Sequence, residues 1–255
     1  MKRLQIFLLK EELGMNKRFM EELLDDQQWS PLWEACLRRA KVFDPMAVEE
    51  MWVIVPIPDR KGVLIFCEEE VFYNTQSALN TIRHFSFAHC FPDYTILSAV
   101  LKDVGAYGKY KLPWACPYFA LCPLEGGPQG VWINPLKIEN VYKLEDLHYV
   151  QLLNGLKVLI PLQRYYVLVR GEIACGVLAA IRQDAFHFTK GVGSPAHYLT
   201  LPNTDFARSL AKCPLLLRFA TKTGEIHRRY QRASFLHYYD QFDEEAEPLH
   251  WENWR

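Results

Sequence analysis

Long apolar runs are missing from this chain of 255 residues. A helix that spans a bilayer needs roughly 18 consecutive apolar residues. The longest candidate, residues 171–181, carries Glu172 and lies between Arg170 and Arg182, so no membrane partner is expected. Behind the basic start, the apolar segment Leu4–Leu9 stops at Lys10-Glu11-Glu12. That is too short for a secretory signal, and a cytoplasmic location is expected. Paired cysteine spacings are missing as well. The seven cysteines are odd in number and scattered, with no CxxC, which reads as free and mostly buried thiols. His89, Cys90, Cys116 and Cys122 are the candidate metal set. The five-residue gap between Cys116 and Cys122 is loose for zinc, so no metal or other cofactor is expected. Catalytic signatures are absent too: no GxSxG, P-loop, HExxH or GxGxxG. Lys190–Pro195, KGVGSP, lacks the strand-loop-helix context of a phosphate loop. Adjacent His89 and Cys90 do not make a dyad, which is a spatial object. The chain is read as a non-enzyme.

Half of the residues are hydrophobic, enough for a substantial core. The net charge of −1 hides an uneven distribution. Residues 1–70 hold ten Lys/Arg and fourteen Asp/Glu, residues 71–232 hold eighteen against ten, and residues 233–255 hold one against six. A basic middle between acidic ends suits a domain that meets a polyanion. The densest part is Arg208–Arg232. It carries Arg208, Lys212, Arg218, Lys222, Arg228, Arg229 and Arg232 against Glu225 alone, interleaved with Phe219, His227 and Tyr230. Cations of this kind neutralise phosphates and release counterions, and aromatics pack against sugars and groove walls.

The periodicity of Met15, Phe19, Met20, Leu23 and Leu24 predicts a helix over 15–26. Ser30 and Pro31 fit the cap and first turn of another. These two do not make a reading head, because residues 15–42 balance five bases against five acids. A short helix is expected from Asp44-Pro45. A hairpin is expected around Pro58–Gly62, an edge strand at Val71–Asn74, and helices from Asn74 or Thr75 to His89 and over Tyr94–Val104. Strands follow at PYFALCPL and VWINPLKIENVYKL, where Pro135 marks an edge or bulge and Trp132 is core. Asn154-Gly155 predicts a type I′ hairpin. Tyr166, Val169, Ile173, Val177 and Ile181 predict a helix over Gln163–Arg182 despite Gly171 and Gly176. Thr204 caps a short helix. PLLLRFATKTGEIHRRYQ fits a hairpin or a strand-turn-helix. The fold class is α+β, an antiparallel sheet core with helices before, beside and after it.

VFYN (Val71–Asn74) after a hairpin, a helix from Ala78, PYFALCP (Pro117–Pro123), a Gly-rich turn, GVWINPLKIENV, the Asn-Gly hairpin ending LIPL (Leu159–Leu162) and an Arg/Tyr helix occur in one order. That order resembles the competence transcription factor ComK family of bacterial DNA-binding activators, over roughly residues 50–182. The resemblance implies an activator that reads AT-rich promoter DNA and assembles as a homo-oligomer on double-stranded DNA. The organisation is then an N-terminal helical segment (1–48), a ComK-like core (49–183), a basic C-terminal segment (184–239) and an acidic tail (240–255). Candidate DNA contacts are Lys109, Lys111, Lys137, Arg164, Arg218, Lys222, Arg228, Arg229 and Arg232. The family's Gly-Arg segment after the first core helix is replaced by FPDYTILSAVLKDVGAYGKYK, without Arg. That departure opens an alternative: a regulatory protein-interaction module on the same scaffold that has lost DNA binding. It would take protein partners through its helical N-terminus and its acidic aromatic tail (Trp251, Trp254).

Overall fold

The computed structural model describes residues 22–109, 111–124, 130–185 and 193–242, with side chains in the last stretch as far as Tyr239. Two sheets organise them. The larger has seven strands in the order β2-β5-β4-β3-β8-β7-β6. These are β2 (Lys41–Val42), β3 (Val53–Pro56), β4 (Val63–Phe66), β5 (Val71–Asn74), β6 (Trp114–Ala115), β7 (Ala120–Pro123) and β8 (Trp132–Ile133). The smaller has the order β1-β11-β10-β9, from β1 (Leu23–Leu24), β9 (Ile138–Leu144), β10 (Leu147–Leu152) and β11 (Lys157–Ile160). Every pairing is antiparallel except β1–β11 and β2–β5, both parallel. The fold is α+β, as the sequence implies. β3 and β4 are continuous apolar runs because every residue in them is buried.

The bent strand expected at 131–144 is two strands in two sheets. β8 ends at Ile133 in the large sheet and β9 begins at Ile138 in the small one. Between them Pro135–Lys137 forms a 3-10 turn, capped by the Asn134 side chain, which accepts from Leu136 N–H. Pro135 thus marks the change of sheet. Trp132 is core, 2 % exposed, edge-on to Tyr94.

The helices are α1 (Pro31–Arg39), α2 (Ala78–Ala88), α3 (Tyr94–Val104), α4 (Arg164–Ala185), α5 (Asp205–Leu210), α6 (Pro214–Leu217) and α7 (Glu225–Phe242). Asp93 starts α3 by accepting from Thr95 and Ile96 N–H, and the helix ends at Gly105 as expected. Thr204 caps α5. α4 is the central helix, packed on β6, β7, β9 and on α5, α6 and α7. Its glycines serve that packing: a Cβ on Gly171 would lie 3.2 Å from Pro135 and 3.3 Å from Leu210.

Several expectations are corrected. Most of the helix predicted over 15–26 lies outside the described residues, and its end is strand β1. Leu23 and Leu24 are both buried and pair with Lys157 and Val158, so tertiary pairing overrides the local period. Ser30 makes no capping bond. α2 is capped by Ser77, not by Asn74 or Thr75. Asp44-Pro45 opens a 3-10 turn. β5 is not an edge, because β2 covers it. The Asn-Gly turn is not type I′. Only Gly155 has positive φ (84°). Its N–H reaches Leu152 O (2.9 Å), and the Asn154 side chain accepts from Leu156 N–H. This is the three-residue hairpin with a glycine bulge. α4 buries Val167, Ala174, Cys175 and Leu178 and leaves Tyr166 exposed. Residues 214–231 are helix, turn and helix, with no strand.

Candidate nucleic-acid interface

The basic segment folds as α6, a turn and α7. Leu216 and Ile226 enter the core, which turns the intervening cations outward. The start of α7 is tied to the end of α4: the Asp184 carboxylate accepts from the N–H groups of Gly224 and His227. A carboxylate suits unpaired amides at the positive end of a helix. Further along, the Tyr230 hydroxyl accepts from Asp93 N–H (2.8 Å) and fixes α7 on α3.

Lys222, Glu225, Arg228, Arg229 and Arg232 line one groove of about 380 Å³. Four of the predicted contact residues therefore meet there. Arg228, Arg229 and Arg232 share a helix face, as spacings of three and four require. Arg229 is already engaged, with Asp103 of α3 and with Glu225 (2.8 Å). Its guanidinium is held even more firmly protonated, first by the Asp103 hydrogen bond and then by Glu225. Glu225 is held below the usual carboxylate range by the Lys222 N–H and then by Arg229. Lys222 and Arg228 are exposed, and Arg228 Nε donates to Gly224 O (3.2 Å).

The other candidates divide. Lys109 is exposed in the loop after α3. That loop is anchored by Tyr107, whose buried hydroxyl is pushed up by burial while its bond to Thr221 opposes the shift. Lys109 and Lys222 thus flank one loop-to-turn contact. Arg218 is exposed just past α6. Lys111 has φ 55°. Its ammonium is disfavoured by desolvation and then by Arg170, which donates to Pro123 O. Lys137 and Arg164 lie apart from this groove and are engaged within the fold. Lys137 pairs with Glu50 (2.7 Å) and lies over the Trp52 ring (5.0 Å). Arg164 bonds Asn140 and Ser209 and joins α4 to β9 and α5. A charge count cannot distinguish such cations from surface ones.

Family models, curated proteins and solved structures give no match to this chain.

Sequence reasoning missed Asp103 and Asp184, the carboxylates that set the pose of α7. Both are distant in sequence, and neither spacing nor composition signals them. Among the described residues no helix is long and apolar enough to cross a membrane.

Proposed function

We propose that the chain is a regulator that binds double-stranded DNA through the groove at the start of α7. The observation that carries this reading is the convergence of Lys222, Arg228, Arg229 and Arg232 on one groove. Lys109, two residues from the Tyr107 that bonds Thr221, is a further exposed cation. Lys222, Arg228 and Arg232 anchor phosphates, while Arg229 braces the helix. The ordered resemblance to the ComK family supports the same reading, including groove readout of AT-rich sites and assembly of several protomers on DNA.

Fluorescence anisotropy with a labelled duplex over a salt series tests it. Log affinity should fall linearly with log salt, with a slope near −0.9 for each phosphate neutralised. Replacing Lys222, Arg228 and Arg232 together by Ala should weaken binding to every sequence and flatten the slope by up to about three contacts' worth. No binding at low salt by folded protein would end the proposal.

One observation favours the protein-interaction reading. A groove of about 750 Å³ opens between α1, the β4–β5 turn and the β10–β11 turn. Leu32, Cys36 and Leu156 line it beside the exposed Glu68 and Glu69, a surface that suits a basic amphipathic segment. Under that reading Glu68→Lys with Glu69→Lys abolishes partner capture and leaves duplex binding unchanged.

A further inference from the structure

The cations of Arg208–Arg232 are followed, beyond α7, by Asp243, Glu244, Glu245, Glu247 and Glu252. α7 separates the two charge blocks by a fixed length. From Phe242 back to Arg232 is about 15 Å and back to Arg228 about 21 Å, at a rise of about 1.5 Å per residue. Extended chain covers roughly 3.3 Å per residue. Glu247 therefore reaches back about 17 Å from Phe242 and Glu252 about 33 Å. The first distance matches Arg232, and the second exceeds what Arg228 requires.

Two further features fit the same occupant. One cation of the groove, Arg229, is already held by carboxylates, Glu225 in its wall and Asp103 of α3 beside it. Lys222 and Arg228 form no ion pair among the described residues. The outer half of α7 exposes Phe235 (51 %) and Tyr238 (48 %), and the sequence beyond the helix carries the apolar Leu249, Trp251 and Trp254.

We infer that the groove lined by Lys222, Arg228 and Arg232 is a docking site for the chain's own acidic segment, residues 243–255, which competes there with phosphate. This rests on the polyanion reading of the groove and names how that site is regulated. Nucleic acid must displace the segment in order to bind.

Lys222 is the lysine of the groove, so carbodiimide coupling, which joins an amine to a touching carboxylate, reads occupancy in the full chain. The pairs Lys137–Glu50 (2.7 Å) and Lys157–Glu22 (3.0 Å) serve as controls in the same digest. The expected product is an intrachain link between Lys222 and a carboxylate of 243–255. It should fall at least about fivefold in about 0.5 M salt, where screening is nearly complete beyond contact. Control links without a Lys222 link to that segment, or a Lys222 link only between two chains, would overturn the inference. A second variant, Glu244→Gln with Glu245→Gln, Glu247→Gln and Glu252→Gln, should lose the link, which Glu252 is long enough to make, and bind labelled duplex at least about fivefold more tightly. Lost link with unchanged duplex affinity would overturn the competition. A Lys222 link in a chain that binds no duplex in either form would retire the DNA reading and sustain the docking.

Discussion

Cys90 is exposed, Cys67 half-buried and the other five cysteines buried. Burial pushes the Cys67 and Cys122 thiols up to about 12 and those of Cys116 and Cys213 up to about 11. A protonated, enclosed thiol is a poor nucleophile. A disulfide reagent at about pH 8 should therefore modify Cys90 rapidly and the rest only on unfolding; fast reaction of three or more thiols in folded protein would contradict this. The same shifts carry a pH dependence of stability. A thiol whose folded value is raised favours the folded state fully below its unfolded value near 8.5. That contribution disappears as pH rises through the folded value. Stability should fall from about pH 8.5 upward, by about 1.4 kcal/mol per pH unit for a thiol as enclosed as Cys122. Chemical melts at pH 7.5 and 9.5, roughly either side of that value, would read it. Asn134 offers another test on this scale. It is fully buried, donates to Glu50 (3.0 Å) and accepts from Leu136 N–H (3.0 Å). Asn134→Ala leaves a buried amide without its acceptor and should cost about 1–3 kcal/mol, visible as a lowered Tm.

Elements were legible where a local chemical signal coincides with the tertiary result. Asp93 and Gly105 bracket α3, Thr204 opens α5, and the two apolar runs of β3 and β4 need no other explanation. They were illegible where a distant partner decides. Leu23-Leu24 reads as helix until β11 accepts it in parallel. The run through Pro135 reads as one strand because alternation continues while the sheet changes. The cations of the candidate interface were legible as a set; which of them stay at the surface was not, since Glu50 and Asn140 lie far along the chain from the Lys137 and Arg164 they hold. The turns give a comparison at this scale. Gly155 has φ 84° and nothing within 4 Å of an added Cβ, so Gly155→Ala meets only backbone strain, about 1–2 kcal/mol. At Gly62, φ is 119° and a Cβ would lie 2.6 Å from Asn74 O of β5. That contact cannot relax without moving the β4–β5 pair. Gly62→Ala should cost distinctly more, seen as a larger drop in urea midpoint at equal slope; equal costs would mean that β5 yields.

At the scale of the molecule, among the described residues, one large buried cluster runs from Leu24 and Trp33 through Trp132 and Val177 to Phe206 and Ile226, beside a small one of Leu23, Leu147 and Leu159. It takes residues from the described part of the N-terminal segment, from both sheets and from the basic C-terminal segment. Parts that share one large core do not bury their apolar surface alone. Unfolding should therefore be a single cooperative transition. Tryptophan fluorescence reports mainly Trp29, Trp33, Trp52, Trp114 and Trp132, and far-ultraviolet dichroism reports mainly the helices. The two curves should coincide in urea, and Arg229→Ala should move both together. Arg229 ties α7 to α3 through Asp103, and its side chain is 39 % exposed. Solvent therefore screens the pair, and its loss should cost no more than about 1 kcal/mol. The Lys222, Arg228 and Arg232 triple variant should leave the midpoint nearly unmoved, because exposed side chains contribute within about 0.5 kcal/mol. A helical transition that precedes the fluorescence change would identify α7 as a separately melting element. Such a result would also change how the proposed DNA binding is tested: loss of affinity on replacing Arg229 would then report a loosened helix, whereas loss on replacing Lys222 and Arg228 would still report the proposed phosphate contacts.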